Sequence, residues 1–159
     1  PFPLGAGHGG GLRPGTENVA GIVGLGCACK MAGRDLEKER SRVQGLRDEL
    51  WARLREAIPD LRLNGHPQSR LPNTLNVGFP GVRGSKLLER CPGVAASTGS
   101  ACHEGGVETP SPVLTAMGQD RATALEAVRL SLGRSTTQAQ VEEASAALIR
   151  AYRQLKLEG

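Results

Sequence analysis

The sequence predicts an α/β fold in which helices dominate, and three observations carry that expectation. Two long stretches place apolar residues at helical spacing: Leu36, Val43, Leu46, Leu50, Leu54 and Ile58 in one, Val141, Ala144, Leu148, Ala151 and Leu155 in the other. Between them, Asn73 to Phe79 and Ala127 to Leu132 alternate apolar and polar residues, as half-buried strands do. The chain is 159 residues long, 38% hydrophobic and 23% charged, enough to bury a core without disulfide or metal staples. Aromatic residues are only 3%, so that core is built from Leu, Val, Ile and Ala.

The elements follow in order. Ten of the 22 glycines fall in the first 33 residues, and residues 5 to 15 read as a loop. Thr16 is placed to cap a helix opening at Glu17, and Gly21, Gly24 and Gly26 on that helix would let another backbone approach closely. A second helix is expected over Arg34 to Ile58, stopped by Pro59. Leu61 to Leu63 is a short strand, Asn73 to Phe79 a longer one, Gly84 to Arg90 a short helix, and Val94 to Ser97 another strand. Thr98 to Pro112 holds almost no large apolar residue, and loops of about 15 residues inside compact domains are usually functional. Short helices are expected at Val113 to Met117 and Arg121 to Glu126. The next strand turns Val128, Leu130 and Leu132 one way and Arg129 and Ser131 the other. The last helix opens on Thr137 with Gln140 three residues on, a capping box.

Composition excludes several functions. A net charge of +4, with Arg interleaved among Asp and Glu, gives no nucleic-acid patch. No apolar run approaches the ~18 residues of a spanning helix, so no membrane role is expected. No signal segment opens the chain, and Cys27, Cys29, Cys91 and Cys102 do not form a secreted framework, which points to reduced thiols in the cytoplasm. Pro1 stands where Met would, as expected of a fragment or a processed product.

Four features bear on chemistry. Gly5 to Gly10 matches a dinucleotide-binding pattern, but no strand precedes it and Gly11 and Pro14 delay the helix, so that reading is rejected. Thr16 at a helix start is either an ordinary cap or a seat for phosphate, since free N–H groups and the helix dipole favour an anion there. Cys102, in a polar loop flanked by glycines and next to His103, is either a nucleophile or sulfur carrier, or a spectator thiol. Arg129 in an apolar strand needs an anion, either an Asp or Glu elsewhere or the carboxylate of a substrate held by its planar fork; Arg134 is a weaker candidate for that role. No metal is expected: Cys27 and Cys29, two apart on a helix, face away from each other and match no zinc module.

Four segments occur together in order: Gly11-Leu-Arg-Pro-Gly-Thr-Glu-Asn18, Leu71-Pro-Asn-Thr-Leu-Asn76, Ser97-Thr-Gly-Ser-Ala-Cys-His103 and Val128-Arg-Leu-Ser-Leu-Gly-Arg134. With them the chain resembles, from about Leu4 to Leu155, the C-terminal part of the cysteine desulfurases and selenocysteine lyases of the class V aminotransferase family. That resemblance implies a pyridoxal 5'-phosphate enzyme of fold type I. Residues 1–33 would close the large cofactor-binding domain, and residues 34–159 would form an α+β small domain with helices on a short mixed sheet. By resemblance Cys102 is the catalytic cysteine, Arg129 holds the substrate carboxylate, and Thr16 reaches the cofactor phosphate across a homodimer interface. The substrate would be L-selenocysteine or L-cysteine, the product alanine, and an acceptor protein would take the selenium or sulfur. His103, where the desulfurases usually carry Thr or Ser, leans the comparison toward a lyase. Two departures stand out. Gly9 and Gly10 replace a Glu and an Arg, and none of Lys30, Lys38, Lys86 or Lys156 sits in a Ser-x-His-Lys-like context for the Schiff base. The chain alone is therefore expected to be inactive, and a non-catalytic truncated chain, an interaction module or a sulfur carrier without cofactor are the alternatives.

Overall fold

The computed structural model describes residues 15–99 and 108–158. In chain order the elements are α1 (Val19–Ala57), β1 (Arg62–Leu63), β2 (Thr74–Gly78), α2 (Gly84–Glu89), α3 (Pro112–Ala116), α4 (Arg121–Leu125), β3 (Ala127–Ser131) and α5 (Gln138–Glu158).

The first helix differs from expectation at its start and in its length. Asn18, not Thr16, caps it: Asn18 Oδ1 accepts the Gly21 N–H at 3.0 Å, and Asn18 O accepts from Ile22 at 2.9 Å. The Asn side chain reaches a free first-turn donor from the position just before the helix. Two expected helices are one continuous helix of 39 residues. Each glycine weakens a helix by about 1 kcal/mol, but no proline interrupts the run before Pro59. The close approach expected of the glycines is not made among the described residues, since open space surrounds Gly24, Gly26 and Gly33.

The chain's contacts divide it into two units, Pro1–Glu37 and Lys38–Gly159. In the described part of the first, Val19, Ile22, Val23, Leu25, Met31 and Leu36 are exposed. In the second, the helical stripe is buried as its spacing requires: Val43, Leu46, Leu50, Leu54 and Ile58 all face the core. Leu46, Leu50, Leu54 and Ile58 meet Leu75, Val77 and Phe79 from β2 and its end, Val128, Leu130 and Leu132 from β3 and its end, and Val141, Leu148 and Ala151 from α5. The Phe79 and Tyr152 rings pack at 5.9 Å between centroids. The capping box of α5 forms as expected, with Thr137 N–H donating to Gln140 Oε1 at 2.9 Å and Gln140 N–H to Thr137 Oγ1 at 3.2 Å.

The described sheet is antiparallel throughout, in the order β1–β2–β3, rather than mixed. β1 and β2 are joined by ten residues without a helix, too little for a parallel crossover. The helices between β2 and β3 bring the chain back beside the place it left, where Phe79 N–H donates to Glu126 O at 3.1 Å. Val94 to Ser97 is not a strand. Val94 N–H turns back to Cys91 O at 2.9 Å, and only Ser97 pairs with β3, as a single antiparallel bridge to Arg129.

α2 sits tightly on the start of β3. A methyl group at Gly84 would lie 2.5 Å from the Ala127 carbonyl oxygen. Backbone, unlike the end of a flexible side chain, yields little, so Gly84→Ala should destabilise the chain by about 1–3 kcal/mol. A denaturant midpoint equal to that of the parent chain would show that α2 is free to shift.

Candidate functional site

The strand alternation separates two faces of the sheet. One, covered by the helices of the core, carries Leu75, Val77, Val128 and Leu130. The other carries Asn76, Arg129 and Ser131, with Arg129 and Ser131 exposed. Ala127 lies on that second face but is buried against Leu114 and Ala124, so α3 and α4 cover its near end and leave Arg129 open.

Register places four polar residues in one row across this face. Asn76 pairs with Arg129, and Ser97 bridges Arg129 on the other edge of β3. Asn64 N–H donates to Asn76 O at 2.9 Å, extending the row beyond β1. The row is therefore Asn64, Asn76, Arg129, Ser97. Arg129 exchanges both backbone hydrogen bonds with Ser97, at 2.6 and 3.1 Å. Its pairing with Asn76 is consequently of the non-hydrogen-bonded kind, the one that brings opposing side chains closer. Among the described residues the Arg129 guanidinium forms no ion pair and no hydrogen bond. An exposed planar fork on a rigid strand is suited to a carboxylate from outside the chain.

Arg134 is differently placed. It lies past the end of β3, where its carbonyl accepts from Arg42 Nη2 at 2.8 Å. Its charge, after the Arg42 hydrogen bond, helps to hold the Glu39 carboxyl below its usual range.

Cys102 and His103 lie outside the described residues, but both ends of the loop that holds them are fixed. On one side Ser97 is bonded to Arg129, Gly99 N–H donates to Ser97 Oγ at 3.0 Å, and a Cβ at Gly99 would lie 3.3 Å from that of Ser111. On the other, Glu108 pairs with Arg83 at 3.1 Å, and its carbonyl accepts from Arg121 at 2.7 Å. The Gly99 side thus lies beside Ser111, and the root of the loop at Ser97 is bonded to the backbone of Arg129 itself. Cys102 follows Ser97 by five residue steps, a span of at most about 18 Å.

The other thiols divide by burial. Cys91 is buried with Sγ 3.5 Å from Ala147 O, and burial raises its pKa, which keeps it an unreactive thiol. Cys27 and Cys29 are exposed on α1. Among the described residues no group of three or more His, Cys, Asp and Glu converges as a metal site would require. Thr16 is exposed and precedes the Asn18 cap. The segment Gly5 to Gly10 is outside the described residues.

Pyridoxal phosphate requires a lysine, and the four lysines do not fit that need. All are exposed, and Lys86 is held by Glu89 at 2.9 Å. The described residues offer a grip for a carboxylate and no seat for the cofactor ring. A cavity of about 650 Å³ lies among Leu50, Val94, Leu130, Leu132, Val141 and Ala147, and neither Arg129 nor Thr16 lines it.

Sequence reasoning found Arg129 and missed its neighbours. Asn76 appeared only as part of a motif, and Asn64 not at all. A polar residue on the open side of an alternating strand is a signal, but pairing it with Arg129 needs the register.

The class-V aminotransferase family model matches residues 6–143. Among curated proteins, a cysteine desulfurase of Gluconacetobacter diazotrophicus is 45% identical over 83% of this chain and 33% of its own length. The cysteine desulfurase NifS of Azotobacter vinelandii is 42% identical over 83% of this chain and again 33% of its own. Among solved structures, a NifS-like protein has a TM-score of 0.74 at 32% identity, covering 99% of this chain and 39% of that one. A NifS-like protein from Rickettsia africae has a TM-score of 0.76 at 26% identity, covering 98% and 39%. The chain spans about a third of the length of the curated relatives it matches.

Proposed function

The chain belongs to the class-V aminotransferase family, and from that premise we propose that it is the part of a cysteine desulfurase that grips the substrate carboxylate and supplies the acceptor thiol. Class-V aminotransferases and cysteine desulfurases depend on pyridoxal phosphate, which supplies the electron sink for bond breaking at the amino acid's Cα and Cβ. In this reading none of the chain's four lysines anchors the cofactor, so the 159-residue chain by itself is inactive.

Arg129 takes the α-carboxylate in a bidentate fork, which fixes the amino acid's orientation and leaves its side chain free to turn toward the Cys102 loop. The Cys102 thiolate bonds to the substrate sulfur as the Cβ–S bond breaks. The electron pair of that bond and a proton end on the former Cβ, so L-cysteine and the Cys102 thiol become L-alanine and a persulfide. In the complete enzyme Thr16 would hold the cofactor phosphate across a homodimer interface. Residues 1–33 finish the large domain and 34–159 form the small one. The exposed apolar side chains from Val19 to Leu36 pack against the rest of that enzyme. A protein of the cytoplasm, where thiols stay reduced, then takes the sulfur.

One observation carries this reading: Arg129 stands open on its strand while its own backbone holds the root of the Cys102 loop. His103 favours a second substrate, L-selenocysteine, while the relatives at 41–45% identity carry the name cysteine desulfurase. The test is a chimera in which this chain replaces the matching segment of the Gluconacetobacter diazotrophicus enzyme. Alanine released from L-cysteine is the expected product. Alanine from L-selenocysteine alone would favour the lyase reading. A chimera that retains the cofactor yet releases alanine from neither would contradict the proposal.

A further inference from the structure

The polar row contains a relay of three amides that ends beside Arg129. Gln119 Nε2 donates to Asn64 Oδ1 at 2.7 Å, and Asn64 Nδ2 donates to Asn76 Oδ1 at 2.7 Å. Asn64 is buried, its carbonyl accepts from Arg70 at 3.0 Å, and its N–H is bonded to β2, so the middle of the relay is held on three sides. Asn64 thus spends its oxygen on Gln119 and offers its nitrogen to Asn76, while Gln119 Oε1 is buried with no partner among the described residues. At the end of the row, Asn76 has its oxygen occupied and two N–H donors left. It is paired with Arg129 in the geometry that brings side chains together. Two donors next to a guanidinium form an anion seat, whereas an oxygen turned the same way would instead pair with Arg129 and close the fork.

From this we infer that Asn76 is a second carboxylate-binding residue beside Arg129, and that Gln119 and Asn64 are positioning residues that keep its donor end outward. The inference rests on the reading of Arg129 as the carboxylate fork, and it extends that reading to specificity for the carboxylate of an amino acid. Ser97 flanks Arg129 on the other side. Its Oγ accepts from Gly99 N–H, which leaves the hydroxyl proton free to donate to the same anion.

The test is a titration of the ¹⁵N-labelled 159-residue chain with L-alanine, followed at side-chain N–H resonances, with L-alaninamide as the ligand lacking a carboxylate. The Asn76 Nδ2 and Arg129 Nε protons should shift together with L-alanine, along one binding curve, and stay still with L-alaninamide. Asn76→Ala should weaken binding about tenfold, the scale of one hydrogen bond to a charged group. Asn76→Asp should abolish it by pairing with Arg129. Gln119→Glu acts at a distance: a carboxylate cannot donate, so Asn64 turns to donate to it, Asn76 turns in response, and its oxygen meets Arg129. That variant should therefore also lose binding, and Gln119→Met should lose less.

The outcomes separate the two readings. If Arg129→Gln abolishes binding while the Asn76 amide never moves and Asn76→Ala binds as the parent does, the inference about Asn76 is overturned and the Arg129 reading stands. If Arg129→Gln binds normally, or the parent chain shows no carboxylate-dependent shift at Arg129, both are overturned. The amide shift in the parent chain needs no variant, so a variant that fails to fold does not blunt the test.

Discussion

Cys102→Ser in the chimera is expected to lower alanine formation from L-cysteine on the order of 10³-fold or more, the scale on which enzymes lose a catalytic nucleophile. A hydroxyl is a far weaker attacking group toward sulfur than a thiolate, and the product it would form is not a persulfide. Cofactor content should be unchanged, because Cys102 holds none of it. L-selenocysteine should be less affected, since selenolate is the better leaving group and can depart without thiolate attack. The difference between the two substrates therefore reports the role of the thiol rather than damage to the fold. Equal losses on both would point to a structural effect, and no loss on L-cysteine would reduce Cys102 to a spectator.

Arg129→Gln should lower kcat/KM for L-cysteine roughly 10²-fold, the scale of removing a bidentate charge-assisted pair from a carboxylate. Most of that should appear in KM, since the carboxylate is held alike in the ground and transition states. Arg129→Lys keeps the charge and loses the fork, so it should fall between the two. The side chain is exposed and forms no ion pair among the described residues, so neither substitution should cost much stability. An unchanged kcat/KM in both variants would remove Arg129 from the site.

Much of the fold is legible in the residues because it depends on spacing. The leucine stripe from Leu46 to Ile58 and the alternation around Val128 and Leu130 each state which side is buried. The Thr137 and Gln140 capping box is local, and it forms as written. What was not legible depends on partners. Thr16 and Asn18 are both good caps, and which one serves depends on where the chain first turns. Val94 to Ser97 has strand composition, yet the turn at Cys91 leaves only Ser97 aligned with β3. The proposed carboxylate site is the sharpest case. Arg129 is conspicuous as a charge in an apolar strand. Its neighbours Asn76, Asn64 and Ser97 are ordinary polar residues spread over more than 30 positions, and only the register of the strands makes them one row.

The central claim is that this chain supplies the thiol that receives the sulfur, within reach of a carboxylate fork on the adjoining strand. Its most direct test is the mass of the Cys102 peptide after a single turnover of the chimera with L-cysteine, quenched with an alkylating reagent. The account predicts one added sulfur atom on the peptide holding Cys102, formed in step with alanine and absent from the peptides holding Cys27, Cys29 and Cys91. Alanine formed with no sulfur on Cys102, or sulfur spread evenly over all four thiols, would contradict it.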